Sequence, residues 1–299
     1  MILVAGGTGR LGRLVVNRLV HEGESVRVLT RDPAASADLV HPQVELVCGD
    51  VRDPSSLGPA MSGVGTIVSA VHGLVGSGGV TPESVDRDGN RNLIEAAAEA
   101  SPPADVILVS TVRASADHPM ELFRMKWAAE EQLRASGLRW TIVRSNAFVE
   151  TWVELLSQTA GTSARPRVFG RGDNPVNFVA VKDVADAVVR AAVDPALRGN
   201  VIEVGGPSDL TLNQLARLVQ ASRGWSGDLH HVPRAGLRAM GALARPFNPT
   251  MARLARSSLA MDTCDLTFDA KPSTREYPWL PCTPIEAHGV LATEVTSTP

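Results

Sequence analysis

The sequence predicts an α/β protein built on a doubly wound parallel sheet. Three observations carry that expectation. Short strand-length apolar runs recur through the first half of the chain, too short for helices, and the first of them, at residues 1–5, suits a buried parallel strand. Segments with a helical apolar period stand between most of them. Strands that alternate with helices in this way are joined by right-handed crossovers, which makes the sheet parallel and covers both its faces.

In chain order, residues 1–5 (MILVA) form the first strand and run into a glycine-rich turn. Residues 11–22 follow as a helix, with Leu11, Leu14, Val15, Leu19 and Val20 on one face. Further strands fall at 25–30, 44–48, 66–70, 105–110 and 141–144. Helices are expected over 81–100, opened by Pro82, and over 119–136, opened by Pro119 and closed by Gly137. Beyond them, 176–181 reads as a strand, 182–193 as a helix, 200–205 as a strand and 211–223 as a helix. A helical stretch over 234–256 is broken near Pro246 and Pro249, and the polar residues 293–299 are expected to fray.

Apolar residues make up 44% of the 299 and charged residues 20%, the balance of an ordinary globular chain with ample core. A formal net charge of −3 lacks the basic footprint of a nucleic-acid binder, so no nucleic-acid partner is expected. Cys48, Cys264 and Cys282 lie far apart, with no CxxC pair, and read as inert thiols in a reducing compartment. The histidines lack metal-ligand spacing, and the adjacent His230 and His231 would point to opposite faces of a strand, so no metal site is expected. No apolar stretch reaches the ~18 residues of a membrane span, and the chain opens on a strand instead of a charged leader. The expectation is a cytoplasmic protein without a membrane partner.

The turn after the first strand reads Gly6-x-x-Gly9-x-x-Gly12 and leads into a helix. Small residues there let the backbone turn tightly and approach a pyrophosphate, while the helix N-terminus supplies free N–H groups and a favourable dipole. With a second strand ending about 20 residues on, this is the setting of a dinucleotide site in a Rossmann-type fold. Gly6, Thr8, Gly9, Arg10, Leu11 and Gly12 form the expected cradle. An NAD site places a carboxylate at the end of the second strand, and an NADP site prefers arginine. Arg31 stands there, and its guanidinium suits a phosphate and stacks on adenine, with Arg10 as a second charge. Asp32, directly before Pro33, reads as a cap. NADP(H) is therefore the expected cofactor.

Asp50, after the third strand, either accepts the adenine amino group, with Val51 beside it, or caps a turn near Asp53. Ligands of parallel sheets bind beyond the carboxyl ends of strands. That places Ala70 and Val71, after the fourth strand, and Asn146, after the sixth, at the nicotinamide. His72 is a candidate proton shuttle. The expected division is an NADP(H)-binding domain over 1–145 and a smaller, mixed C-terminal region over 146–299 that completes the sheet and caps the substrate cleft.

On residues 6–12 (GGTGRLG), 29–32 (LTRD), Gly49-Asp50, 109–111 (VST), Lys126, 136–144 (SGLRWTIVR), 178–185 (FVAVKDVA) and 204–207 (VGGP), the chain resembles the atypical short-chain dehydrogenase/reductase superfamily, and within it the NmrA-like group. That group includes quinone and other small-molecule reductases, and redox-sensing regulators that bind NADP without turning it over. The superfamily's apparatus is a serine after strand five and a Tyr-x-x-x-Lys on the following helix. The resemblance makes Ser110 the serine, and Lys126 the lysine that holds the nicotinamide ribose and lowers the pKa of a nearby acid. Leu122 stands where the tyrosine belongs, and the one tyrosine of the chain, Tyr277, lies far downstream. Phe148, Trp152, Phe169 and Phe178 are candidates to line an apolar pocket. Two functions follow: an oxidoreductase that passes hydride from NADPH to a quinone or similar small acceptor without the usual tyrosine, and a non-catalytic NADP(H) sensor acting on a protein partner. The first is preferred.

Overall fold

The computed structural model describes residues 1–76 and 78–285, so the end expected to fray at 293–299 lies outside the described residues. The chain divides into two units, the first made of Met1–Ser145 and Val184–Glu203, the second of Asn146–Asp183 and the described residues from Val204 on.

In the first unit, β1 (Ile2–Ala5) is buried at every position. It leads through the glycine turn into α1 (Arg10–His21), followed by β2 (Val26–Thr30), β3 (Val44–Cys48) and β4 (Thr66–Ser69). Next come α2 (Asp88–Glu99), β5 (Asp105–Thr111), α3 (Glu121–Ala135) and β6 (Trp140–Ser145). The sheet order is β3-β2-β1-β4-β5-β6. The strand built from Val201–Val204 is added beside β6, so a segment from the second half of the chain returns to the main sheet. β1 pairs in parallel with both β2 and β4. The strand order reverses between β1 and β4, and in open sheets of this kind that reversal opens a ligand crevice at the carboxyl ends. The fold is thus the doubly wound, Rossmann-type sheet that the unbroken apolar runs require.

The helices differ in detail from the sequence pattern. α1 buries Leu11, Val15, Val16 and Leu19, whereas Leu14 and Val20 are half-buried. The helix expected over 81–100 opens as a six-residue π-helical turn, Pro82–Arg87, capped by Thr81, before α2 begins. Wide turns of this type often mark working sites, and this one holds Asp86 with no solvent exposure.

The second unit carries elements too short to show a period. They are β7 (Ala147–Phe148), α4 (Val149–Ala160), β8 (Arg167–Phe169) and β9 (Pro175–Val179). The chain continues through α5 (Val181–Val193), which leads back into the first unit, and β10, the Val201–Val204 strand. The second unit resumes with β11 (Asp209–Thr211), α6 (Leu212–Ser222), β12 (His230–Val232), α7 (Arg234–Leu243), α8 (Pro249–Met261) and α9 (Lys271–Glu276). β7, β9 and β11 form one small sheet, and β8 and β12 another. The helical stretch expected over 234–256 is two helices, parted where Asn248 caps α8 by accepting the Met251 N–H at 2.9 Å, with Pro249 in its first turn. Of the four aromatics expected at a pocket, Phe178 is fully buried and packs edge-on to Trp152 at 6.2 Å. It belongs to the core, while Phe148, Trp152 and Phe169 are half-buried.

Candidate functional site

The glycine turn shows which of its glycines the fold itself requires. A Cβ on Gly12 would collide with the Gly6 carbonyl and stand 2.6 Å from the Gly7 Cα. Gly6 has φ +84°, and a Cβ there would stand 2.5 Å from the Ala70 carbonyl oxygen, so the end of β4 closes on the turn. Gly9 is different. Its φ of −80° suits any residue, and a Cβ would meet only the Gly6 oxygen, at 3.4 Å. The protein leaves that position open. Behind it, α1 begins without a side-chain cap and without an acidic residue in its first turn. Its leading N–H groups and dipole are therefore available to an anion.

Arg31 follows β2, is exposed, and has no ion-pair or hydrogen-bond partner for its guanidinium among the described residues. Asp32 is the cap expected of it, its Oδ1 accepting the Ala35 N–H at 3.0 Å. Asp50 is held by its neighbour two residues on. Arg52 clasps both its oxygens, with Nη2 at 2.6 Å, Nε at 3.0 and 3.1 Å and the backbone N–H at 2.9 Å. The Arg52 hydrogen bond chiefly holds the Asp50 carboxyl below its ordinary pKa, with Arg31 adding at longer range. Arg52 also donates to the Gly78 carbonyl at 2.9 Å. Val51 is buried, and its carbonyl accepts the Asn92 amide at 2.8 Å.

Beyond β4 and β5 lies a buried polar cluster. Lys126, on α3, donates to the Val71 carbonyl at 2.9 Å and to the Val109 carbonyl at 3.0 Å. Its Nζ stands 3.0 Å from Asp86 Oδ1, with side-chain exposures of 7% for the lysine and 0% for the aspartate. An ammonium has three donors; two of them reach carbonyls, and Asp86 Oδ1 lies at ion-pair distance without a hydrogen bond from any described residue. Asp86 Oδ2 accepts the Gly73 N–H at 2.8 Å, and the Asp86 carbonyl accepts from Asn90, which also receives the Ser69 hydroxyl. Ser110, at the end of β5, is buried, and its hydroxyl has no hydrogen-bond partner among the described residues. His72 keeps contact with water, yet desolvation by the surrounding protein lowers its pKa, with Asp86 opposing and Lys126 adding. That direction favours the neutral ring.

The structure brings together Gly6, Ala70, Val71, Ser110 and Lys126 at the ends of β1, β4 and β5. Leu122 sits half-buried in the first turn of α3. Tyr277 belongs to the second unit, beside Trp279 at 5.7 Å. Asn146 opens the second unit, with its side-chain nitrogen buried and unpartnered. Sequence reasoning missed Asp86, Arg52 and Asn90, because nothing in the charged run around residues 83–91 separates an inward carboxylate from a solvated one. Among the described residues no cluster of three or more His, Cys, Asp or Glu is placed to hold a metal, and no helix is long and apolar enough to cross a membrane. Two surface hollows, of about 470 and 640 Å³, lie elsewhere and are not lined by the glycine turn, Ser110 or Lys126.

An uncapped helix N-terminus behind a glycine turn, at the point where a parallel sheet reverses its order, is a dinucleotide-phosphate site. The chain belongs to the NAD(P)H-binding family, whose profile matches residues 6–195. It is 27% identical over 225 residues to an NAD(P)H azoreductase of Xenophilus azovorans, covering 75% of this chain and 74% of that one. It is 28% identical over 281 residues to the photosystem II assembly factor Ycf39 of a Synechocystis species, covering 92% and 85%. Among solved structures, the NADPH-dependent quinone oxidoreductase QOR2 of Escherichia coli, complexed with NADPH, matches with a TM-score of 0.73 at 23% identity, covering 92% of this chain and 94% of that one.

Proposed function

We propose that the chain is an NADPH-dependent reductase of a quinone or similar small acceptor, working without a catalytic tyrosine. One observation carries this reading. At the end of β5 the Ser110 hydroxyl is buried and unpartnered, while the place one helical turn before Lys126 holds Leu122. The chain keeps a polar group suited to a cofactor and lacks the usual proton donor.

The residues fit NADP(H). Thr8, Gly9, Arg10, Leu11 and Gly12 would hold the pyrophosphate at the open start of α1, against the turn at Gly6. The unpartnered Arg31 would take the 2′-phosphate. Asp50, held by Arg52, and Val51 would border the adenine. Ala70, Val71 and Asn146 would border the nicotinamide, with the Ser110 hydroxyl as a donor to it. Lys126 would hold the ribose with the donor that its two carbonyl hydrogen bonds leave over. In this reading it fixes the Val71 and Val109 carbonyls. When bound, NADPH supplies a hydride.

A reduced quinone is a stabilised anion that water protonates, so it does not need the missing acid. A simple aldehyde does, and a positioned general acid contributes roughly 10²- to 10⁴-fold. The azoreductase and the quinone oxidoreductase among the similar proteins support an acceptor of the first kind. The test is NADPH oxidation with a benzoquinone, an azo dye and acetaldehyde. Turnover of the first two, with acetaldehyde slower by about two orders of magnitude or more, is expected. Brisk acetaldehyde reduction would overturn the proposal by revealing a proton donor elsewhere. Tight NADPH binding without turnover of any acceptor would establish the sensor reading, which the likeness to an assembly factor favours.

A further inference from the structure

We propose that the closed end of the α7–α8 hairpin docks this protein on an anionic membrane surface. The two helices approach closely. Leu237 on α7 and Ala252 on α8 are buried, and a Cβ on Gly241 would stand 3.0 Å from the Arg256 side chain. The connecting end is apolar and turned outward. Leu243 is 72% exposed, Phe247 90% and Met251 44%. They recur every fourth residue across the end of α7, the connection and the first turn of α8. The nearby Ala242, Pro246 and Pro249 are exposed as well. An outward cluster of this kind gains nothing from the fold and marks a surface that meets an apolar phase.

Within the hairpin's own segment the charge is of one sign. Residues 229–261 hold five arginines and no lysine or carboxylate, in a chain whose formal net charge is −3. Arg234 is paired with Asp262, and Arg253 is buried. Arg238, Arg245 and Arg256 are exposed, with no ion-pair partner among the described residues. Exposed aromatic and aliphatic side chains flanked by unpaired arginines match an anionic lipid surface, whose acyl boundary takes the first and whose headgroups take the second. A second copy of the chain fits less well, because a two-fold contact at this tip would set arginine against arginine. Nucleic acid would use the arginines but has no place for Leu243 and Met251. That no helix among the described residues can cross a membrane leaves this open, because a docked hairpin lies on the membrane and does not cross it.

The test is co-sedimentation of the full chain with vesicles of phosphatidylcholine alone, and with vesicles of phosphatidylcholine and phosphatidylglycerol in equal parts. Binding to the mixed vesicles only, released by ~1 M salt, is expected. Arg238→Gln, Arg245→Gln and Arg256→Gln should each weaken it about fivefold. Phe247→Ser should weaken it about tenfold or more. Phe247 and Arg245 are exposed, so both variants should keep the wild-type melting transition. Four results would each overturn the proposal: equal binding to both vesicles, no binding to either, unchanged binding of Phe247→Ser, or a dimer in sedimentation velocity that Phe247→Ser dissociates. Tighter binding to duplex DNA than to the mixed vesicles would overturn it too.

Discussion

Replacing Asp86 by asparagine tests the buried cluster on which the candidate site stands. Lys126 and Asp86 are almost free of solvent contact, so their interaction escapes the screening that weakens surface pairs. In Asp86→Asn the amide oxygen could still accept the Gly73 N–H. The substitution would leave the Lys126 ammonium with two carbonyls and no counter-charge. Breaking a buried pair from one side costs about 3–5 kcal/mol, because the abandoned ion stays buried. Lys126→Met should cost a similar amount, by stranding the Asp86 carboxylate. The double variant removes both ions, and such replacements are often near neutral. The two losses should therefore be strongly non-additive. Amide hydrogen exchange in β4 and β5 reports the stability of the first unit directly, and urea unfolding gives the total. Single-variant losses below about 1 kcal/mol, or losses that simply add, would show that the pair does not anchor the site.

The remaining predictions are shorter. Gly9→Ala should fold normally, since its Cβ meets only one atom, at 3.4 Å, yet lose NADPH affinity in calorimetry; Gly12→Ala should instead destabilise the fold, because its Cβ strikes the Gly6 backbone. Arg31→Ala should weaken NADPH binding about 10- to 100-fold and leave NADH unchanged, and equal loss for both cofactors would refute the 2′-phosphate role. His118, buried and stacked on Phe123 at 4.2 Å, has its pKa lowered by burial from 6.5. The unfolded chain then binds the extra proton first, so its contribution is present above about pH 6.5 and lost as pH falls through the lower folded value. Melting temperature measured from pH 7.5 downward should fall less steeply in His118→Phe than in the wild type, and parallel curves would refute this.

Much of the first unit is legible in the order of its residues. Local period fixes strand and helix, and β1 through β6 occur where their apolar runs stand. The Gly6–Gly12 turn and Arg31 after β2 are also local facts, readable by spacing, while Leu122 in the tyrosine's place is what the family resemblance implies. Tertiary structure decided the rest. The Lys126–Asp86 pair joins residues forty positions apart through a crossover and a π-helical turn that no period predicts. The empty hydrogen-bonding shell of Ser110 depends on which side chains the packed strand ends bring within reach. β7 and β8, two and three residues long, are too short to carry a period, so only their pairing defines them. The return of β10 to the sheet, and the outward turn of Leu243, Phe247 and Met251, follow from which faces the finished packing covers. A sequence states which residues are apolar; only the folded chain decides which of them remain in water.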